Sequence, residues 1–255
     1  MGESPADLFG SVAVGYAKHR PSYPDAFFQQ FADSCPGHEL VWDCGCGNGQ
    51  AALALTSYFK QVVATDASQE QLNQAVMHPQ VSYRQAMADA SGLADASVDG
   101  VVVAAAAHWL AGEQFNREVQ RVARPGAVMA WIGYLLVQLE DPQLQQLVET
   151  FYSHTLRPWW SPQRAWVDVS YAGLPFPGEE WPFPRGLWIE RQWQLADLIG
   201  YFGTWSAVAA AQRAGTGLLE PLQQALLPHW PNQGKSALLV RWPFMGRWGR
   251  LASLP

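Results

Sequence analysis

Residues 41–50 read VWDCGCGNGQ, and the fold turns on how this stretch is read. Leu40, Val41 and Trp42 make an apolar run. Gly45, Gly47 and Gly49 then remove alternate side chains, and residues 51–59 (AALALTSYF) resume with a helix-forming, apolar-rich pattern. The order is that of a buried strand, a glycine-rich turn and a helix. Such a turn lets backbone N–H groups approach a ligand closely, and the start of the helix favours a carboxylate or phosphate. Residues 62–67 (VVATDA) form the next apolar run, and Asp66 at its end stands where a βαβ unit sets a carboxylate to accept both hydroxyls of a ribose.

The spacing separates three uses of this geometry. A dinucleotide fingerprint, G-x-G-x-x-G, requires glycine where Gln50 stands, and a phosphate-binding P-loop requires Lys and Ser or Thr where Gln50 and Ala51 stand. A second P-loop mimic, Gly234-Lys235-Ser236, has His229 in place of its first glycine and leads into a strand pattern, so it carries no phosphate site. What remains is the acidic start with alternate glycines: Asp43, Gly45, Gly47 and Gly49.

A chain of 255 residues is long enough for one α/β domain with an elaborated cap. Its net charge of −6 argues against a nucleic-acid backbone or an anionic membrane as main partner. No run of eighteen apolar residues occurs, and the first residues (MGESPADLFG) lack the basic and apolar regions of a signal peptide, so a soluble cytoplasmic protein is expected. Cys35, Cys44 and Cys46 fit reduced thiols. Cys44 and Cys46 have no second Cys or His pair at ligand spacing; they are expected as small residues in a crowded turn, with no metal. Of thirteen tryptophans only Trp42 and Trp109 precede residue 130, so the large flat surfaces belong to the second half.

Along the chain, residues 8–32 are expected as one or two helices broken at residues 19–24 (HRPSYP) by two prolines. Arg20 there either meets a cofactor or substrate carboxylate through its guanidinium fork or pins the arm to the surface. Residues 68–76 read as a helix with Ser68 at the N-cap and Gln71 three residues on, and 81–85 as a short strand. Ala88 and Asp89 lie just past that strand, where an open parallel sheet binds ligands, and either read an adenine edge or belong to an ordinary acidic loop. The run 100–107 (GVVVAAAA) reads as a doubly covered central strand ending at His108-Trp109. His108 is the candidate for contacting or deprotonating a substrate, set against a packing role at a strand end. A helix over 113–124, a strand over 127–136 and a helix from Asp141 with Pro142 in its first turn follow.

From residue 157 to 186 periodicity fails: six prolines punctuate Trp159, Trp160, Trp166, Tyr171, Phe176, Trp181 and Phe183. The stretch is too apolar for a disordered linker; it reads as a cap over a pocket or as an insertion covering the sheet. A strand over 187–193, helices over 195–202, 206–214 (Ser206 at its N-cap) and 218–227, and a late strand over 236–242 close the pattern, with Arg247, Trp248 and Arg250 in a strand end or tail.

With these residues placed, the chain resembles the class I S-adenosylmethionine-dependent methyltransferases with the methyltransferase type 11 domain, and within them the trans-aconitate methyltransferase branch. Tyr16, Arg20, Pro21, Tyr23 and Pro24 match that branch's Y-x-x-x-R-P-x-Y-P opening. Asp43, Gly45, Gly47 and Gly49 match the first motif, Asp66 the ribose-binding acid, and Ala88-Asp89 the adenine-loop pair. His108-Trp109, Arg124-Pro125-Gly126 and Thr204-Trp205-Ser206 also resemble patterns of the branch, whereas Ala127 replaces the second glycine of the usual P-G-G. The resemblance implies a Rossmann-like, doubly wound, seven-stranded and mostly parallel sheet. It implies one domain over 1–255, comprising an arm (1–36), a cofactor-binding core (37–136), a substrate cap (137–186) and C-terminal strands and helices (187–255). It implies S-adenosylmethionine held by Tyr16, Arg20, Asp43, Gly45, Gly47, Gly49, Asp66, Ala67, Ala88, Asp89 and Ala104, leaving as S-adenosylhomocysteine. His108 is the catalytic candidate, and Tyr23, Trp109, Trp159, Trp160 and Tyr171 are the acceptor-site candidates. The implied reaction is methyl transfer to a small molecule, a small carboxylic acid foremost. A catalytically silent binding module and an NAD-dependent oxidoreductase are the alternatives.

Overall fold

The computed structural model describes residues 20–252; Tyr16 and the start of the expected arm lie outside the described residues. In chain order the strands are β1 (Leu40–Cys44), β2 (Gln61–Asp66), β3 (Val81–Gln85), β4 (Val98–Ala104), β5 (Ala123–Tyr134), β6 (Gln138–Leu139), β7 (Gly178–Trp181), β8 (Trp188–Trp193) and β9 (Leu238–Leu251). The α-helices are α1 (Asp25–Ser34), α2 (Gln50–Leu55), α3 (Gln69–Leu72), α4 (Ala107–Leu110), α5 (Glu113–Val122), α6 (Pro142–Thr150), α7 (Ala165–Asp168), α8 (Leu195–Gly203), α9 (Ser206–Arg213) and α10 (Leu219–Leu226). None is long and apolar enough to cross a membrane.

The chain forms two compact units. The larger comprises Ser22–Leu135, Ala165–Leu187 and residues 244–252, and its sheet has the order β3-β2-β1-β4-β5-β9-β7. Strands β1 to β5 are parallel, while β9 runs antiparallel to β5 and β7 antiparallel to β9. This is the seven-stranded, mostly parallel sheet expected of the sequence. The smaller unit comprises Leu136–Arg164, Trp188–Pro243 and residues 20–21. In it β6 and β8 pair antiparallel with the first half of β9, accompanied by α6 and α8 to α10. β7 pairs with the second half of β9 at the sheet edge of the larger unit.

A parallel sheet covered on both faces needs strands apolar throughout, and β4 is buried from Val98 to Val103. On one face Trp42, Val101, Val103, Met129 and Trp131 meet α5 through Phe115, Val119 and Val122. Those helix positions fall one turn apart, so a single face is buried. Below the sheet, Asp99 is 2% exposed yet fully paired. It accepts from the amides of Glu39 (2.8 Å) and Leu40 (3.0 Å) and from Arg124 Nη1 (2.7 Å). It thereby fixes the entry to β1, and Gly37 lies so close that a Cβ would stand 3.0 Å from its carboxylate.

Replacing Asp99 with Ala strands two backbone N–H groups and the Arg124 charge. Charge-assisted bonds of this kind are worth about 1.5–3 kcal/mol, so Asp99→Ala is expected to lower unfolding free energy by about that amount in denaturant titration, with the slope unchanged.

Candidate functional site

The order of the strands reverses between β1 and β4: the chain winds from β1 through β2 to β3 on one side, then from β4 to β5 on the other. Ligands of open α/β sheets lie in the crevice beyond the carboxyl ends of strands at such a reversal. Two segments border it here, the glycine turn after β1 and the α4 segment after β4. They touch: a Cβ on Gly45 would stand 2.9 Å from the Ala106 methyl and 3.1 Å from Leu110 Cδ1.

Gly45, Gly47 and Gly49 all have left-handed backbone, with φ of 68°, 55° and 86°, which side-chain-bearing residues rarely adopt. The turn is stitched to the end of β2, because the Gly45 and Cys46 amides both donate to Thr65 O (2.8 and 3.0 Å) and Trp42 Nε1 donates to Thr65 Oγ1 (2.8 Å). Asp66 then accepts from Gly47 N at Oδ2 (2.8 Å) and from Ser68 N at Oδ1 (2.9 Å). Each carboxylate oxygen has a second lone pair, so this half-buried group keeps acceptor capacity for a pair of hydroxyls. Burial raises its pKa above the ordinary value, and the amides of Ser68, Gly47 and Ala67 oppose the rise.

Asp43, at the end of β1, is fully buried, and neither carboxylate oxygen makes a hydrogen bond of good geometry among the described residues. Burial pushes its pKa up to about 7; the nearby amide of Ala52 works against the rise and the Asp66 charge adds to it. A desolvated carboxylate without a full partner beside a second one makes the turn a place that favours a cation. This pair of acceptors fits a ligand carrying hydroxyls and positive charge. The Cys44 and Cys46 thiols are pushed well above the ordinary value, burial being the main cause, which keeps them neutral and suits their expected role as small fillers.

The helices around the turn are shorter than the spacing suggests. Helix α2 covers six residues, because Thr56 Oγ1 donates back to Leu53 O (2.7 Å) and the chain leaves through turns. Ser68 caps α3 as expected, accepting from Gln71 N (3.3 Å), but that helix stops at Leu72, four residues short of Val76. Sequence reasoning missed Tyr83. A Cβ on Gly49 would lie 2.2 Å from its hydroxyl, so the third glycine makes room for this β3 ring, whose hydroxyl donates to Val76 O (3.2 Å). The signal was the alternation of residues 81–85, which sets Tyr83 on one face with Val81. Ala88 and Asp89 form the tip of a tight turn between bridged Met87 and Ala90, with Asp89 exposed. Ala67 is exposed and its carbonyl accepts from Gln85 Nε2 (3.0 Å); Ala104, the last residue of β4, is half-buried. Beside them, Arg121, with the Ser91 hydroxyl and amide, holds the Glu118 carboxyl down at about 2 and so anchors the loop from residue 91.

His108 and Trp109 lie within α4 and not at the end of a strand, a correction to the sequence reading. The strand ends at Ala104, Ala105 turns left-handed (φ 56°), and the helix begins at Ala107. The change from valines to alanines marks that exit, since only the former are stiff β-formers. His108 is half-buried, its ring 4.9 Å from that of Trp109 and 6.4 Å from that of Tyr171 at an interplanar angle of 11°. Tyr171, fully buried, belongs to the same unit. Tyr23 lies in another aromatic group, within 6.4 Å of Phe28, Tyr134 and Phe244. The remaining candidates belong to the smaller unit. There Arg20 donates to Thr204 Oγ1 (2.9 Å) and Thr204 O (3.2 Å) and lies over Tyr201, while Trp160 packs on Tyr152 and Trp205 and Trp159 is half-buried. Two sequence motifs, the arginine of the opening and Thr204-Trp205-Ser206, thus meet; Trp205, not Ser206, occupies the cap position of α9.

Residues 42–131 match the family model described as a methyltransferase domain. A protein of Dictyostelium discoideum assigned as a methyltransferase is 32% identical over 238 residues, covering 92% of this chain and 90% of its own length. The solved structure of a protein from Anaeromyxobacter dehalogenans, assigned as a type II methyltransferase, is 40% identical with a TM-score of 0.82, covering 92% of this chain and 99% of that one. A methyltransferase of Aspergillus aculeatus is 34% identical over 140 residues, covering 52% of this chain and 45% of its own length.

The Asp43 carboxyl links stability to pH. Its folded pKa of about 7 exceeds the ordinary 3.8, so the folded chain keeps a proton that the unfolded chain releases. That contribution is complete below pH 3.8 and is lost as pH rises through 7. Asp43→Asn carries no such titration; the stability of wild type relative to this variant is expected to fall steadily from pH 4 to pH 7, as read by chemical denaturation at each pH. A flat difference would show that Asp43 ionises normally.

Proposed function

Because the chain belongs to the class I S-adenosylmethionine-dependent methyltransferases, we propose that it transfers a methyl group to a small-molecule acceptor, a small carboxylic acid being the foremost class. The observation that carries this reading is the left-handed glycine turn at the strand-order reversal, with Asp66 bonded to Gly47 N and the buried Asp43 beside it. In this reading Asp66 holds the ribose hydroxyls, and Ala67, Ala88 and Asp89 border the adenine. Gly45, Gly47, Gly49 and Ala104 allow close backbone approach and Asp43 faces the positive charge, while Tyr16 and Arg20 are assigned to the amino-acid carboxylate by the motif resemblance alone. His108 and Trp109, with the Tyr171 ring beside His108, border the acceptor, while Tyr23, Trp159 and Trp160 are acceptor candidates by the resemblance alone. The small-acid assignment draws on the likeness of the opening motif and of His108-Trp109 to the trans-aconitate branch.

When bound, the cofactor supplies an electrophilic methyl on a sulfonium whose leaving group is neutral. The chain's task is alignment, because holding two reactants in line lowers a displacement barrier by making it effectively unimolecular. Aromatic faces such as Trp109 favour the cationic centre. A carboxylate acceptor is already a nucleophile and requires no base. A phenol, amine or carbon acid must lose a proton, which His108 takes in that case.

Calorimetric titration with S-adenosylmethionine, S-adenosylhomocysteine and NAD in parallel tests the cofactor. Binding of the first two without NAD is expected, and NAD binding alone would sink the reading. Asp66→Ala is expected to weaken S-adenosylmethionine by about 1.5–3 kcal/mol, the loss of charge-assisted bonds; unchanged affinity would remove Asp66 from the site.

His108→Ala is expected to leave cofactor affinity in place. With acceptors screened by S-adenosylhomocysteine release, its turnover should drop about 100-fold where the acceptor must be deprotonated. Turnover equal to wild type on such an acceptor would make His108 a packing residue.

A further inference from the structure

Arg247, on β9, is only 15% exposed through its side chain and uses its guanidinium in four directions. It forks onto Glu180, with Nε to Oε2 at 2.7 Å and Nη2 to Oε1. Its Nη1 donates to two carbonyls, Tyr171 O (2.9 Å) and Leu174 O (2.5 Å). Its plane also lies over Trp131 (5.3 Å) and Phe176 (5.6 Å). The two carbonyls belong to the segment between α7 and β7, which has no strand partner of its own. There Ser170 and Tyr171 are both left-handed, with φ of 53° and 65°. Such strained residues persist only where their surroundings hold them.

What that hold accomplishes is visible at the other end of Tyr171. Its hydroxyl lies 3.5 Å from Ile132 O, the carbonyl that also accepts from Ala105 N (2.8 Å) at the paired carboxyl ends of β4 and β5. Gly133 makes room for it, since a Cβ there would stand 2.9 Å from the hydroxyl. The ring lies nearly parallel to that of His108. We propose that Arg247 is a positioning residue for the acceptor side of the site: forked onto Glu180 and gripping the Tyr171 and Leu174 carbonyls, it fixes the Tyr171 ring against His108. The functional weight of this arrangement rests on the reading of His108 given above, whereas the arrangement itself is tested without turnover.

The probe is the imidazole signal of His108 in carbon–proton NMR spectra of the full-length protein with labelled histidine, assigned by its absence in His108→Gln. Two neighbouring rings shift this signal away from the ordinary histidine range. Arg247→Lys keeps the charge but cannot fork onto Glu180 while holding both carbonyls, and it is expected to move the His108 signal towards that range, leaving the other five histidines in place. Glu180→Gln, which removes the charge that holds the Arg247 fork, is expected to move it too, and decides the matter if Arg247→Lys fails to fold. Arg250→Lys, on the same strand but stacked on Trp181, is expected to leave it unchanged. A His108 signal unmoved in folded Arg247→Lys, unmoved in Glu180→Gln where Arg247→Lys does not fold, or moved as far by Arg250→Lys, overturns the proposal. These outcomes are independent of the His108→Ala turnover measurement, so failure of the positioning and failure of the assigned reaction are told apart.

Discussion

The hydrogen bond between the Gly47 amide and the Asp66 carboxylate, 2.8 Å long, joins the loop after one strand to the end of the next. It forms only because three residues with left-handed backbone bring the chain back towards β2. A side chain at Gly45 would collide with the α4 segment, and one at Gly49 with Tyr83. The glycines therefore answer three needs at once: backbone conformation, contact with the neighbouring loop, and packing of a ring from β3. Only the first belongs to the turn itself and holds at all three positions; at Gly45 and Gly49 even a substitution tolerated by φ would displace a neighbour, whereas at Gly47 the nearest atom, Gln71 Oε1, stands 3.7 Å away.

Electrostatics follow from this geometry. The turn brings two carboxylates out of water, one bonded to two amides and the other without a full partner. Desolvation works against both charges, a cost that stability alone would have removed by substitution with an amide. A ligand carrying positive charge and hydroxyls would compensate that cost, the compromise between stability and function expected of a binding loop. By contrast, Asp99 and Glu118 are buried carboxylates with complete sets of donors. Their placement below the sheet and in the supporting loop matches a structural role.

Much of the fold was legible because its signals are local. Residues 81–85 alternate and form β3, and Asp141 caps α6 through the amides of Gln143 and Leu144 (both 2.9 Å), with Pro142 at its start. The errors fall where distant contacts outvote local pattern. The last strand does not stop at the expected Trp242 but runs on to Leu251, through Pro243, Gly246 and Gly249. Those glycines are needed because a Cβ would stand 2.2 Å from Trp131 O at Gly246 and 1.9 Å from Glu179 O at Gly249, and glycine in a strand marks such close approach of another backbone. Likewise residues 165–187 showed no periodicity because they are ordered by Arg247, by Asn116 donating to Pro175 O (3.0 Å) and by β7 pairing. No local propensity encodes these ties.

The candidate site was legible in the same uneven way. Asp43, the glycines and Asp66 form one motif whose spacing fixes their relation, so sequence alone places them together. His108 and Tyr171 are separated by sixty-odd residues of chain, and only the fold brings their rings near parallel. Both were named for their chemistry, but nothing in the sequence assigned Arg247 to either; it read as part of a strand end or tail. A methyl-transfer site makes this division intelligible. The glycine turn with its two carboxylates is compact and local, whereas the His108 and Tyr171 pair is assembled from segments far apart in the chain, beside a buried clasp, Arg247, that no motif records.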